Sequence, residues 1–123
     1  MPLATVLIED SPTIRSNLIP ALRDLAGAEI VAVAETASEA VAVLKALGDG
    51  WQLAVVDLFL REGSGVTVLR AFHGRLPRQR MVVLTNYPTT EIRRRCLEVG
   101  ADAIFDKSTE LEPFFEWCLQ VES

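Results

Sequence analysis

Two kinds of apolar segment alternate along the chain. The short kind is apolar at nearly every position: LATVLI from Leu3, EIVAVA from Glu29, LAVVD from Leu53, RMVVLT from Arg80, and AIF from Ala103. Unbroken runs such as LATVLI and LAVVD have the signature of strands covered on both faces. The longer kind spaces its apolar residues by three and four, as a helix with one buried face does. Ile14, Leu18, Leu22 and Leu25 form one such stripe, and Val41, Leu44 and Leu47 a second. Val66, Leu69 and Phe72 make a third, and Ile92, Cys96, Leu97 and Val99 a fourth. The fifth is Leu111, Phe114, Phe115, Cys118 and Leu119. Punctuation residues agree with this division. Ser11-Pro12 opens the first helix and Gly27 stops it, Thr36 and Glu39 form a capping-box pattern, and Gly48, Gly74 and Gly100 follow later helices. Ser108 or Thr109 is the expected cap of the last.

A strand followed by a helix, five times over, predicts an α/β fold with a parallel sheet and helices on both of its faces. The expected architecture is a flavodoxin-like, doubly wound (βα)5 domain with strand order 2-1-3-4-5, spanning residues 1–123 as one unit. No linker, repeat or low-complexity segment interrupts it. In such sheets the functional crevice lies beyond the carboxyl ends of the strands.

Composition narrows the classes. The net charge of −5 argues against a nucleic-acid-binding face on this domain, which would be basic. No run approaches the roughly 18 apolar residues of a membrane span, and no basic segment precedes an apolar one at the N-terminus. A cytoplasmic protein without membrane association is therefore expected. Cys96 and Cys118 fall in predicted helices without metal-ligand spacing and read as buried thiols. His73 has no ligand-forming neighbours and reads as a surface residue, and Trp51 and Trp117 read as packing residues.

The strand exits carry the chemistry. The first strand ends on Glu9 and Asp10, the third on Asp57, the fourth on Thr85, and the fifth is followed by Asp106 and Lys107. With strand 2 at an edge, these four strands are neighbours and their polar residues converge. Two carboxylates about 4 Å apart at an effective dielectric near 20 repel by about 4 kcal/mol. One of them then takes a proton, or a cation occupies the site. Oxygen ligands with open positions suit Mg²⁺. A carboxylate beside a metal, a lysine and a hydroxyl is equipped to accept a phosphoryl group, with electrostatics doing most of the catalysis.

In this order these motifs closely resemble the receiver domain of two-component response regulators, over essentially the whole chain: Glu9-Asp10, Asp57 within VVDLFLREGSG, Thr85 within VVLTN, and Lys107 within GADAIFDKS. The resemblance implies that Asp57 is the phospho-acceptor and that Glu9, Asp10, Asp57 and the backbone carbonyl of Phe59 hold Mg²⁺. It implies that Thr85 and Lys107 bind phosphoryl oxygens, and that a histidine kinase or a histidine phosphotransfer protein is the donor. Output is expected as a switch, not an enzyme activity, through partner binding or homodimerisation by the last two helices. The chain ends after the fifth predicted helix, so no output domain is expected within it; a receiver portion of a longer DNA-binding regulator is the alternative.

Three positions depart from the family pattern. Arg61 and Ser108 stand where proline is frequent; a cis bond between Lys107 and Ser108 would cost about 3 kcal/mol before a non-proline, and the sequence leaves its isomer open. Ile104 occupies the switch position, where an aromatic ring is usual. Its readout would then fall to Tyr87 or Phe105, although alternation puts Phe105 on the opposite face from Ile104. With Ile104 and Ser108 in these places, a receiver-like scaffold that is never phosphorylated stays an alternative. Phe59 and Tyr87, each two residues beyond a site residue, are expected to flank the acceptor and restrict water. Arg93, Arg94 and Arg95, with Arg78 and Arg80 nearby, read as a solvated helix face. A haloacid-dehalogenase-type phosphatase would need an Asp where Phe59 stands, and a flavin module would need a Gly/Ser/Thr-rich loop where EDSP stands.

Overall fold

A computed structural model describes residues 2–121; Met1, Glu122 and Ser123, the ends of the expected 1–123 unit, lie outside the described residues. The element order is β1 (Leu3–Ile8), α1 (Pro12–Ala26), β2 (Ala28–Ala34), α2 (Ala37–Leu47), β3 (Leu53–Asp57), α3 (Gly65–Ala71), β4 (Arg80–Thr85), α4 (Thr90–Glu98), β5 (Ala103–Asp106) and α5 (Leu111–Val121). The strands form one parallel sheet in the order β2-β1-β3-β4-β5. Both the alternation and the strand order are those expected from the sequence.

The pleat of the sheet sorts the core into two layers, because successive side chains point to opposite faces. Leu3, Leu7, Leu53, Val55, Val82 and Leu84 pack against α1 and α5 through Leu18, Leu22, Phe114 and Cys118. Val6, Ile8, Ala54, Val56, Met81, Val83 and Ile104 pack against α2, α3 and α4 through Ala40, Leu44, Val68, Leu69 and Cys96. All five residues of β3 are buried, as its unbroken apolar run requires. The edge strand β2 differs: Glu29, Val31 and Val33 are exposed, and its pairing register with β1 shifts between Thr5 and Val6. An edge strand has one neighbour and is covered less.

The helix caps follow the sequence signals at most ends. Ser11 and Thr36 accept from the backbone N–H groups of Ile14 and Glu39, and Gly27 closes α1 in the left-handed conformation at φ 64°. Thr89 caps α4 by accepting from Ile92 N. The expected Ser108 or Thr109 cap of α5 is not formed. α5 begins at Leu111, the Phe114 N–H donates to the Glu110 carbonyl, and Ser108 instead donates its N–H to the Asp106 carboxylate.

Four residues placed on apolar stripes turn outward. Leu25, Leu97, Leu111 and Leu119 are exposed. The buried residues are Leu18, Leu22 and Ala26 in α1, Cys96 in α4, and Phe114 and Cys118 in α5. Leu25, Leu97 and Leu119 each adjoin one of these and are rotated about 100° away from it, whereas Leu111 is the first residue of α5. Cys96 and Cys118 are buried free thiols, as read from the sequence. Trp51 is buried and meets Phe72 edge-to-face with centroids 6.2 Å apart.

Candidate functional site

β1, β3, β4 and β5 end side by side, so their exits share one rim of the sheet. Asp57 is the last residue of β3 and pairs in register with Leu84, one residue before Thr85. Lys107 follows β5 directly, and its N–H donates to the Thr85 carbonyl at 3.0 Å, which ties the two exits together. The sheet therefore brings Glu9, Asp10, Asp57, Thr85 and Lys107 to one place, although 98 residues separate Glu9 from Lys107.

The charges there are close and largely withdrawn from water. Glu9 and Asp57 are buried, and Asp10 is partly so. One carboxylate oxygen from each of the three lies within 4.8 Å of the others. Lys107 Nζ donates to Glu9 Oε1 at 2.7 Å and pairs with Asp57 Oδ2 at 3.1 Å. The second Glu9 oxygen accepts from Ser11 N at 3.2 Å, and Asp57 Oδ1 accepts from Phe59 N at 3.4 Å. Burial pushes the Asp57 carboxyl up from its ordinary 3.8 to about 6; Lys107 opposes that rise and Glu9 adds to it. Burial also acts to raise the Glu9 carboxyl, but Lys107 and the Ser11 N–H outweigh it and hold Glu9 below its ordinary value. Burial disfavours the Lys107 ammonium, yet its bonds to Glu9 and Asp57 outweigh that and keep its pKa raised. The site is thus two ionisable carboxylates around one lysine, with Asp57 the more easily protonated.

Three hard oxygen donors clustered in this way fit Mg²⁺, which keeps open positions for water and phosphate. The β3–α3 loop that carries Phe59 is held by an antiparallel bridge between Phe59 and Ser64 and by Gly65 N donating to Leu58 O at 3.0 Å. Thr85 is fully buried, and its hydroxyl accepts from Tyr87 N at 3.2 Å. Phe59 and Tyr87 are exposed and meet edge-to-face with centroids 6.0 Å apart. The expected pair at the mouth is therefore in mutual contact. Ile104 is buried in the layer facing α4, whereas Phe105 packs against Phe114 and Trp117 in the opposite layer. Ile104 and Phe105 thus face opposite sides of the sheet, as strand alternation requires. No cis peptide bond occurs among the described residues, so Lys107-Ser108 is trans.

Some contributors escaped the sequence reading. Arg15 Nη1 donates to the Glu9 carbonyl at 2.8 Å and to Glu35 Oε2 at 3.1 Å, so the exit of β2 also reaches the acidic pair. Gly65 is required by close approach: a Cβ there would lie 2.5 Å from the Asp57 carbonyl oxygen and 2.8 Å from Val56 Cγ1. The available signal was a glycine placed immediately after Ser64, at the start of a helix it disfavours. Arg94, paired with Glu98, and Arg95 are exposed on α4 as expected of a solvated face, whereas Arg93 is partly buried and turns to the Ile104 carbonyl and Glu110, departing from that reading.

Residues 5–116 match the response regulator receiver domain. The chain belongs to that family. Receivers are signalling switches, and an aspartyl phosphate and Mg²⁺ are general to them. Over 108 residues the chain is 32% identical to a cyclic di-GMP phosphodiesterase of Thermotoga maritima, covering 88% of this chain and 28% of that protein. Over 97 residues it is 31% identical to the DNA-binding transcriptional activator DevR/DosR of Mycobacterium tuberculosis, covering 77% of this chain and 43% of that protein. The chain thus spans less than half the length of these relatives. Among solved structures, the CheX-CheY-BeF3-Mg complex of Borrelia burgdorferi aligns with TM-score 0.86 at 17% identity, covering 100% of this chain and 91% of that one. The BeF3-activated DrrB receiver domain aligns with TM-score 0.81 at 18% identity, covering 99% and 98%. At these identities the likeness establishes the fold. Among the described residues, no helix is long and apolar enough to cross a membrane.

Proposed function

We propose that this receiver, a single domain over residues 1–123, accepts a phosphoryl group on Asp57 from a histidine kinase or a histidine phosphotransfer protein. The observation that carries the reading is the pairing of Asp57 with Lys107 at 3.1 Å, with the Glu9 and Asp10 carboxylates inside the same 4.8 Å cluster. A carboxylate oxygen of Asp57 bonds to phosphorus as the P–N bond of a phosphohistidine breaks, and the imidazole leaves with the electron pair. Burial raises the Asp57 carboxyl, but Lys107 beside it favours the ionised form that acts as the nucleophile. Glu9, Asp10, Asp57 and the Phe59 carbonyl would hold Mg²⁺, which supplies charge neutralisation for the phosphoryl oxygens. Lys107 binds one phosphoryl oxygen and the Thr85 hydroxyl donates to another. Phe59 and Tyr87, in contact across the mouth, limit attack by water on the product.

Phosphorylation then draws Thr85 and the loop after β4 inward and biases the face made by α4 and α5 toward a protein partner or a second copy. A second reading has support in the curated relatives, of which this chain matches only 28% and 43%: the receiver would govern an attached output domain in a longer regulator. The size of the natural polypeptide in source cells separates the two. The phosphorylation reading is tested by incubating the protein with Mg²⁺ and acetyl phosphate and weighing it intact. A gain of one phosphate that vanishes in Asp57→Asn is expected; a gain that survives that substitution would sink the assignment to Asp57, and no gain would return the chain to the scaffold reading.

A further inference from the structure

Ile104 is aliphatic and buried, Phe105 is committed to Phe114 and Trp117, and Tyr87 is exposed against Phe59. None of the three joins the loop after β4 to α5. A different side chain does. Arg93, in the first turn of α4, donates from Nε to the Pro88 carbonyl at 3.1 Å, from Nη1 to the Ile104 carbonyl at 3.3 Å, and from Nη2 to Glu110 Oε1 at 2.8 Å. The same Glu110 oxygen accepts from Asp106 N at 3.0 Å, next to Lys107. The Arg93 guanidinium, followed by the Asp106 N–H, holds the Glu110 carboxyl below its ordinary range. One planar fork therefore spans three segments: the β4–α4 loop, β5, and the residue from which α5 starts.

We infer that Arg93 is a positioning residue that transmits the state of the β4–α4 loop to the start of α5, the role an aromatic side chain at position 104 would otherwise serve. This inference rests on the phosphorylation reading of Asp57. The Thr85 hydroxyl holds Tyr87 N at 3.2 Å, immediately before Pro88. When that hydroxyl turns to a phosphoryl oxygen it releases the Tyr87 N–H, and the Pro88 carbonyl moves with the freed loop. A guanidinium is rigid and its donors have fixed directions. It cannot follow Pro88 and also keep Ile104 and Glu110, so the Glu110 end of α5 is released or drawn along. A lysine at this position would keep a charge near Glu110, but its three donors sit on one nitrogen, whereas Arg93 reaches its three acceptors from three separate nitrogens.

The test compares the wild type, Arg93→Lys and Glu110→Ala, with and without acetyl phosphate and Mg²⁺. Intact mass reports phosphate on Asp57, and hydrogen exchange of peptides covering residues 108–121 reports α5. All three proteins are expected to gain one phosphate. Exchange in α5 should change on phosphorylation in the wild type, and that phosphate-dependent difference should be lost in both variants. A merely structural role for Arg93 would shift the exchange of both states equally and leave their difference intact. The inference is overturned if the phosphorylated variants keep the wild-type difference, or if α5 in the phosphorylated wild type does not respond. Absence of any phosphate on the wild type would overturn the site reading itself. Glu110→Ala removes the oxygen that accepts from both Arg93 and Asp106 N and thereby breaks the link from the α5 side, so a folding defect in Arg93→Lys does not end the test.

Discussion

Asp57 holds its proton more tightly in the folded protein than in the unfolded chain, and that has a cost at neutral pH. Its carboxyl rises from an ordinary 3.8 to about 6, because it is buried and faces Glu9. The sign follows from linkage. Between pH 3.8 and about 6 the folded state binds more protons than the unfolded state, so this group's contribution falls as pH rises and its full penalty applies above about pH 6. At about 1.4 kcal/mol per pKa unit, the upper bound is about 3 kcal/mol. Asp57→Asn removes the penalty, but it also removes one partner of Lys107, which keeps Glu9 at 2.7 Å. The expected net stabilisation of the metal-free protein at pH 8 is therefore about 1–2 kcal/mol. Urea denaturation in the presence of a chelator, at pH 5 and pH 8, measures it, and the gain should shrink toward pH 4. Added Mg²⁺ should reverse the order by stabilising the wild type more, since binding to the native state alone adds to its stability. An Asp57→Asn protein no more stable than the wild type at pH 8 without metal would refute the reasoning.

Three further outcomes are expected. Gly65→Ala should destabilise by about 1–3 kcal/mol in chemical denaturation, because its Cβ meets the Asp57 backbone oxygen at 2.5 Å and a flexible side chain is not what must yield. Replacing Phe59 and Tyr87 together by serine should speed loss of phosphate about tenfold in a mass-spectrometric time course, a barrier change of about 1.4 kcal/mol; an unchanged rate would remove the pair from the account of the product's lifetime. Leu97→Gln should leave the unfolding free energy from urea denaturation within about 0.5 kcal/mol of the wild type, since this leucine is half exposed.

Most of the fold was legible in the sequence because each local signal agreed with the others. The all-buried LAVVD run, the Ser11 and Thr36 caps and the Gly27 stop are short-range features, and the structure keeps them. The errors came where a local pattern leaves a choice. Leu25 and Leu97 satisfy helical spacing, but the neighbouring Ala26 and Cys96 are the residues that meet the sheet, and the sheet decides which. The start of α5 also depends on partners from other elements: Glu110, held by Arg93 and the Asp106 N–H, precedes the helix and its carbonyl accepts from Phe114 N, so Ser108 and Thr109 fall outside the cap position.

The candidate site divides along the same line. The residue types and their positions at strand exits were determined by the sequence alone: Glu9, Asp10, Asp57, Thr85 and Lys107 each end a run whose hydrophobicity forces a strand. The distances and the charge balance were not. That Lys107 reaches Glu9 first at 2.7 Å and Asp57 at 3.1 Å, and that Asp57 is the carboxyl raised by burial, depend on the sheet order and on what covers the rim. Arg15, Gly65 and Arg93 became visible only in three dimensions, because their partners Glu35, Asp57 and Glu110 come from other elements. Hydrophobic periodicity is a property of neighbours along the chain and sets the elements. Electrostatic and steric fit are properties of neighbours in space, and only the packed sheet supplies them.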